Sequence, residues 1–241
     1  MKTRSKRYRA ALAIIGKPED AAKARAIPEA IAIIKKMAAP KIGAKFTESV
    51  DLAVHLNLDT KKADQQFRGS FSFPHGTGRA VRVIVFVDDG DKVQAALAAG
   101  AVKAGGEDVV NAVNDGFIDF DVAIATPKMM RFVGKLGKVL GPRGLMPSPK
   151  SGTVTDDVVN AVKEFKAGKT EYRTDANGNV HVRVGTVKFE EAQLSENILA
   201  FLNHVAEHRP SSVKGEFVKN VTVAATMGPG VKIAFSTSAE A

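Results

Sequence analysis

Residues 81–87 read VRVIVFV, a nearly continuous apolar run without a polar face. A strand of this kind must be covered on both sides, as in a parallel sheet packed between helices. Residues 121–126 (DVAIAT) form a second run of the same type. Between them lie an Ala-rich helical stretch, 91–99, ended by Gly100, and a second one, 107–113, ended at Gly116. After them, Pro127 is expected to open a helix that runs into the Gly/Pro-rich loop 141–152. Thr155 is read as an N-cap, with Asp156 and Asp157 favouring the positive end of the helix dipole, and that helix runs to Gly168. Residues 77–168 therefore alternate strand and helix, the pattern of an open α/β layer.

The chain ends follow another pattern. Pro28 introduces Ala30, Ile31, Ile34, Met37 and Ala38 at helical spacing. Val50, Leu52, Val54, Leu56 and Leu58 alternate, as in a strand with one buried face. Val180, Val182, Val184 and Val187 follow a tight Asn177-Gly178 turn. Residues 192–208 form a long amphipathic helix, and strands 221–225 and 231–235 flank Thr226-Met227-Gly228-Pro229-Gly230. Neither end carries a buried parallel run, so the two are expected to fold together. The expected organisation is α/β with two domains: an α+β domain formed by residues 1–76 plus 169–241, and an inserted α/β domain of residues 77–168.

Charge separates the segments. Residues 1–76 carry 15 basic and 7 acidic side chains, residues 77–168 carry 12 and 11, and residues 169–241 carry 8 and 8. Almost all of the chain's +9 thus belongs to the first segment. Its first nine residues hold Lys2, Arg4, Lys6, Arg7 and Arg9 with no acid, followed by a short apolar run that completes a cationic amphipathic helix. That run, 10–15, is too short for a signal peptide, and no window approaches the roughly 20 apolar residues of a spanning helix. The near-neutral middle is asymmetric too: from Val122 to Thr155 there is no acid, while Lys128, Arg131, Lys135, Lys138, Arg143 and Lys150 are basic. A polyanion is the partner this charge favours. The absence of Cys excludes disulfides, cysteine metal sites and a thiol nucleophile, and the absence of Trp with only two Tyr disfavours a stacking platform for unpaired bases.

Catalytic motifs fail on spacing. His204-Val205-Ala206-Glu207-His208 matches the inverted zinc-protease pattern, but Arg209-Pro210 ends the helix and only Glu216 and Glu240 follow as carboxylates. Gly168-Lys169-Thr170 resembles a P-loop tail, yet Lys163 stands where its first Gly is required. Gly76-Thr77-Gly78 precedes the strand and has Val81 in place of the third Gly of a dinucleotide loop. Asp88-Asp89-Gly90-Asp91 sits where a cation site or a helix cap could form; capping is the commoner use. No enzyme activity, metal or cofactor is expected.

Four segments carry the binding candidates. The N-terminal cations are a polyanion contact or a solvated helix face. Lys45-Phe46 leads into the alternating strand, with Phe46 either in the core or exposed beside Lys45. Thr226-Met227-Gly228 offers a hydroxyl and a backbone free of a side chain at Gly228, with Met227 exposed or in the core. The loop 141–152 presents Arg143 and Lys150.

At these residues the chain resembles one family, that of the bacterial large-subunit ribosomal protein L-one of the mobile side stalk. The resemblance rests on Lys45-Phe46-x-Glu48-Ser49-Val50, Asp64-Gln65-Gln66-Phe67-Arg68-Gly69, Pro74-His75-Gly76-Thr77-Gly78-Arg79, Gly141-Pro142-Arg143-Gly144-Leu145-Met146-Pro147, Gly152-Thr153-Val154 and Thr226-Met227-Gly228. They occur in family order over nearly the whole chain. Ala224 and Ala225, where hydroxyl residues are common before the Thr-Met-Gly, depart from the pattern, as does Asn220.

The resemblance implies a domain of both chain ends that binds large-subunit (23S-type) rRNA, and an inserted Rossmann-like domain. It implies assistance to exit-site tRNA release and repression of translation through the protein's own operon mRNA. The implied RNA-binding residues are Lys45, Phe46, Ser49, Thr226, Met227 and Gly228, with Lys2, Arg4, Lys6, Arg7 and Arg9 adding phosphate contacts. Arg143 and Lys150 would form a tRNA-facing loop. The expected setting is the large ribosomal subunit in the cytoplasm, with no membrane partner and a monomer when free.

Overall fold

The structure is a computed structural model and describes residues 5–16, 23–60, 62, 65–213 and 215–235. It divides into two compact units: Met1–Phe67, Phe73–Gly78 and Tyr172–Ala241 make one, and Arg68–Ser72 with Arg79–Glu171 make the other. The turn signals of the sequence put the breaks at 76/77 and 168/169.

In the unit of the chain ends, strands β1 (Ser49–Leu56), β7 (Asn179–Thr186), β8 (Val218–Ala225) and β9 (Val231–Ile233) form one sheet in the order β7-β1-β8-β9. All its pairings are antiparallel, and β1 is central. The two-residue period of β1 decides the faces: Val50, Leu52, Val54 and Leu56 are fully buried, whereas Asp51, Ala53 and His55 keep partial exposure. Helices α1 (Lys6–Ile15), α2 (Ile27–Met37) and α8 (Glu191–Glu207) belong to this unit, and α2 packs against β8, β9 and α8. The Ser5 side chain caps α1 by accepting the Tyr8 N–H. Pro28 lies in the first turn of α2, Glu29 beside it, and Lys35 and Lys36 in the last turn, all in accord with the dipole. A Glu190–Gln193 capping box starts α8.

The other unit holds a parallel sheet of β3 (Val83–Phe86), β4 (Lys103–Gly105) and β5 (Val122–Ala125) in the order β4-β3-β5. Its central strand is buried on both faces, which explains the uninterrupted apolar run. Val83 and Val85 join Val87 in a core with residues of α3 (Gly90–Ala98) and α7 (Val158–Ala167). Ile84 and Phe86 point the other way, into a core with α4 (Glu107–Asn114) and the segment after β5. This is a doubly wound layer with helices on both faces.

Two local expectations are corrected. Pro127 does not open a continuous helix. A single turn α5 (Met130–Val133), a 3₁₀ turn (Gly134–Leu136) and α6 (Gly137–Leu140) follow in series. Gly134 and Gly137 weaken the α-helix there, while Met129, Val133, Leu136 and Leu140 still reach the core. Thr155 does not cap α7 either. Asp157 does, accepting the Asn160 N–H at 3.2 Å, and the Thr155 hydroxyl accepts the Asp157 N–H. Two strands carry no apolar period in the sequence: β2 (Arg68–Ser72) and β6 (Lys169–Arg173), which pair with each other.

Candidate nucleic-acid interface

The segments Lys45-Phe46 and Thr226-Met227-Gly228 meet at one end of the four-stranded sheet. Antiparallel register brings this about, since Val50 of β1 faces Ala225 of β8. The residues just before β1 and just after β8 therefore lie side by side. The Thr226 N–H donates to the Ser49 carbonyl at 3.1 Å, and the Ser49 N–H donates to Thr226 Oγ1 at 2.9 Å. The two hydroxyl oxygens are 2.8 Å apart, and Ser49 Oγ donates to Asp51 Oδ2 at 3.0 Å. Asp51 in turn lies 3.8 Å from Arg183 Nε on the neighbouring strand β7. A polar row thus leads from Thr226 onto the less buried face of the sheet.

Exposure separates contact groups from supports. Phe46 is 56% exposed and Met227 49%, so both are surface groups rather than core. Lys45 and Thr226 are exposed, Gly228 is half-buried, and Ser49 is 8% exposed beneath them. The Met227 N–H donates to Glu48 Oε2 and the Gly228 N–H to the Ala225 carbonyl, both at 3.0 Å. The turn's N–H groups are therefore spent internally. What the turn offers outward is the Met227 thioether and the Thr226 hydroxyl, and Phe46 adds an exposed ring before β1.

Helix α1 reaches the same place. Arg7 and Ala11 line a small cleft with Met37, Gly43, Glu48, Met227 and Gly228. Lys6 and Arg9 are exposed on this helix and Arg7 is half-buried. Lys2 and Arg4 lie outside the described residues. Gly43 has a specific reason to be glycine: a Cβ there would collide with the Ala38 carbonyl oxygen. This close turn after α2 delivers the chain to Lys45.

The other unit bears the acid-free stretch. Lys128, Arg131, Lys135, Lys138 and Arg143 are all exposed. Arg131 and Lys135 lie 5.1 Å and 5.6 Å from the Phe132 ring centroid, within cation–π range. The loop that presents Arg143 turns at Gly144, whose φ is 70°. Its base is closed by the buried Thr153 hydroxyl, which accepts the Ser148 N–H at 2.8 Å. Lys150 lies in the 3₁₀ turn Pro149–Ser151, and its side chain is outside the described residues. Burial pushes the nearby Glu171 carboxyl upward, against a hydrogen bond from Ser151 that favours the charged form.

Sequence reasoning missed Glu48, Asp51 and Arg183. The alternation of β1 places Asp51 opposite the buried face and, carried back two residues from Val50, places Glu48 in phase with the buried one, a usable signal that its acidic side chain masks. The rejected motifs have other occupations. His204 is bonded to the Tyr172 hydroxyl at 2.9 Å and its ring lies 4.0 Å from that of His208. No group of His, Cys, Asp and Glu able to hold a metal occurs among the described residues. Asp89 caps α3, with Asp88 and Asp91 beside it, so the helix end that a nucleotide phosphate would use is ringed by carboxylates. Lys169 pairs with Glu164 at 2.7 Å. No described helix is long and apolar enough to cross a membrane.

Lys45, Lys6 and Arg9 are exposed in this unit and Arg7 lines the cleft beside Met227 and Gly228, a charge that favours an anionic partner. Comparison with known proteins is specific. The ribosomal protein L1p/L10e family matches residues 34–229. A large ribosomal subunit protein uL1 from Fervidobacterium nodosum is 49% identical over 241 residues, covering 100% of this chain and 99% of that protein. The uL1 protein of Kosmotoga olearia is 48% identical over 233 residues, 97% of each chain. That of Coxiella burnetii is 53% identical over 211 residues, 88% of this chain and 89% of its own. The chain belongs to the ribosomal protein L1p/L10e family, a family of structural ribosomal proteins and not of enzymes.

Proposed function

We propose that the chain is a component of the large ribosomal subunit whose chain-end unit grips a folded segment of 23S-type rRNA at the side stalk. The observation that carries this reading is the exposure of Phe46 and Met227 at one end of the four-stranded sheet, with Lys45 next to Phe46 in the chain and Arg7 of α1 in the cleft that Met227 lines. Folded RNA is read by shape, phosphate and sugar contacts more than by base edges. A flat ring and a thioether pack on sugar or base faces, and the cations attract phosphates. Thr226 contributes a remaining lone pair of its hydroxyl, while Ser49 serves the geometry from below. Filter binding of Phe46→Ala and Met227→Asp to a stalk rRNA fragment tests this. Both variants stay folded and bind more weakly; wild-type affinity in both would overturn the reading.

The same surface accounts for repression of the protein's own operon mRNA, since one site serves two RNAs in competition. An mRNA leader and the rRNA fragment then displace each other with one inhibition constant each. The second unit supports a role toward exit-site tRNA, because Lys128, Arg131, Lys135, Lys138 and Arg143 are exposed on it with no carboxylate ion pair among the described residues. Reversing Arg143 to Glu slows tRNA release from ribosomes; an unchanged rate would remove the loop from that role.

A further inference from the structure

Glu48 is a buried anion in a surface that faces a polyanion. Its residue is 4% exposed, and it lines the cleft shared by Arg7, Met227 and Gly228. Its charge by itself works against RNA. Burying a carboxylate is costly, and phosphates nearby are repelled. A compensating role must lie in what its two oxygens hold. Oε1 accepts the Ala44 N–H at 2.7 Å, and Oε2 accepts the Met227 N–H at 3.0 Å. Ala44 directly precedes Lys45-Phe46, and Met227 is 179 residues along the chain from Glu48. One side chain therefore ties together the two segments that carry the exposed apolar groups. A carboxylate suits this task because it is acceptor-only on both oxygens, whereas an amide offers one acceptor and one donor.

We infer that Glu48 is the positioning residue of the RNA site, its carboxylate clamping the Ala44 and Met227 amides so that Phe46 and Met227 are presented as one surface. This rests on the rRNA-binding reading above. The opposing signs of charge and geometry make it testable. Were Glu48 merely a nearby charge, Glu48→Gln would tighten binding; as a clamp, its loss weakens binding about ten- to a hundredfold. Glu48→Asp separates the two effects further. It keeps the charge, but its shorter stem cannot span both amides, so it weakens binding like Glu48→Gln. Both variants leave the slope of log Kd against log salt at the wild-type value, because no phosphate contact is removed.

Amide hydrogen exchange supplies a readout that general destabilisation would not give. In both variants the Ala44 and Met227 amides exchange faster, while the amides of core positions on β1, such as Leu52 and Val54, stay protected. The experiment is run on the full chain with Phe46→Ala and Met227→Ala in parallel. If the Phe46 and Met227 variants lose affinity while Glu48→Gln and Glu48→Asp bind as wild type or better, the clamp is wrong and the RNA site stands. If none of the four loses affinity, the RNA site itself is wrong.

Discussion

Ser49 and Thr226 are 177 residues apart in the chain, and their hydroxyl oxygens are 2.8 Å apart. The Ser49 N–H also donates to the Thr226 hydroxyl, and the Thr226 N–H to the Ser49 carbonyl. This reciprocal pair seals the end of the β1–β8 ladder beneath Phe46 and Met227. Thr226→Val keeps the shape but leaves the buried Ser49 N–H without its acceptor, so the unit is destabilised by about 1–3 kcal/mol. Ser49→Ala costs about 1 kcal/mol. Because the residues share one network, the double variant costs less than the sum of the two. Urea unfolding of the four proteins checks this, and additive losses would show that the pair does not act as a unit.

Gly228 provides a probe that is silent in the folded protein. A Cβ there would come no closer than 3.6 Å to its surroundings, Ala225 Cβ being the nearest atom, an ordinary contact. Gly228→Ala should therefore leave the melting temperature within a degree or two. If RNA approaches the backbone at this turn, the added methyl group weakens rRNA binding several-fold. Calorimetric melting and filter binding on the same preparation separate the two effects; a lowered Tm would show that the loss came from folding.

The visibility of these features in the sequence follows from where each physical cause lies. Strand β3 was legible because both its faces are buried, and two apolar faces leave a continuous run. β1 was legible because one face is buried. β2 and β6 were not, because RGSFS and KTEYR pair with each other with little apolar burial to leave a period. The broken helix after Pro127 kept its apolar spacing while Gly134 and Gly137 changed its backbone, so periodicity alone overstated its continuity. At the site, Lys45-Phe46 and Thr226-Met227-Gly228 stood out as motifs. Their union through Ser49 and Glu48 is a product of antiparallel register, which no local pattern encodes.

Cations and apolar contacts should separate in salt titrations. Neutralising one phosphate-contacting residue flattens the slope of log Kd against log salt by about one. Lys45→Gln is expected to do so, whereas Met227→Ala weakens binding with the slope unchanged. Filter binding at four salt concentrations distinguishes them, and a slope unaltered in Lys45→Gln would remove that residue from the phosphate contacts.

Acid should act first at the Tyr172–His204 contact. Burial lowers the His204 pKa, the charge of His208 adds to this, and Glu207 opposes it. The unfolded chain therefore takes up the proton before the folded one does. Stability is complete above the ordinary histidine value of about 6.5 and declines as pH falls from there toward the folded value. Asp175 acts lower. The Asn179 and Asn177 N–H groups and the Asn179 side chain hold its pKa down to about 2. Its contribution is present above about pH 4 and is lost as pH falls toward 2. Unfolding midpoints from pH 7.5 to 5 in wild type and His204→Gln test the first window: the variant should lose the decline that wild type shows there.

Asn197 is fully buried in α8, and three of its four hydrogen-bonding positions are directed at main chain. Its Nδ2 donates to the Gly76 carbonyl at 3.0 Å and the Val184 carbonyl at 2.8 Å, and its Oδ1 accepts the His75 N–H at 3.2 Å. It fixes the segment that closes the chain-end unit just before Gly78. Asn197→Leu matches the volume but strands three polar groups, and should destabilise by about 2–3 kcal/mol. Asn197→Asp is worse at neutral pH, since a carboxylate would face two carbonyl oxygens, and it recovers in acid as the carboxyl gains a proton to donate. The recovery separates hydrogen bonding from packing. Urea midpoints at pH 7 and pH 5 for both variants should show Asn197→Asp gaining on Asn197→Leu as pH falls; parallel midpoints would mean that Asn197 is held there by shape alone.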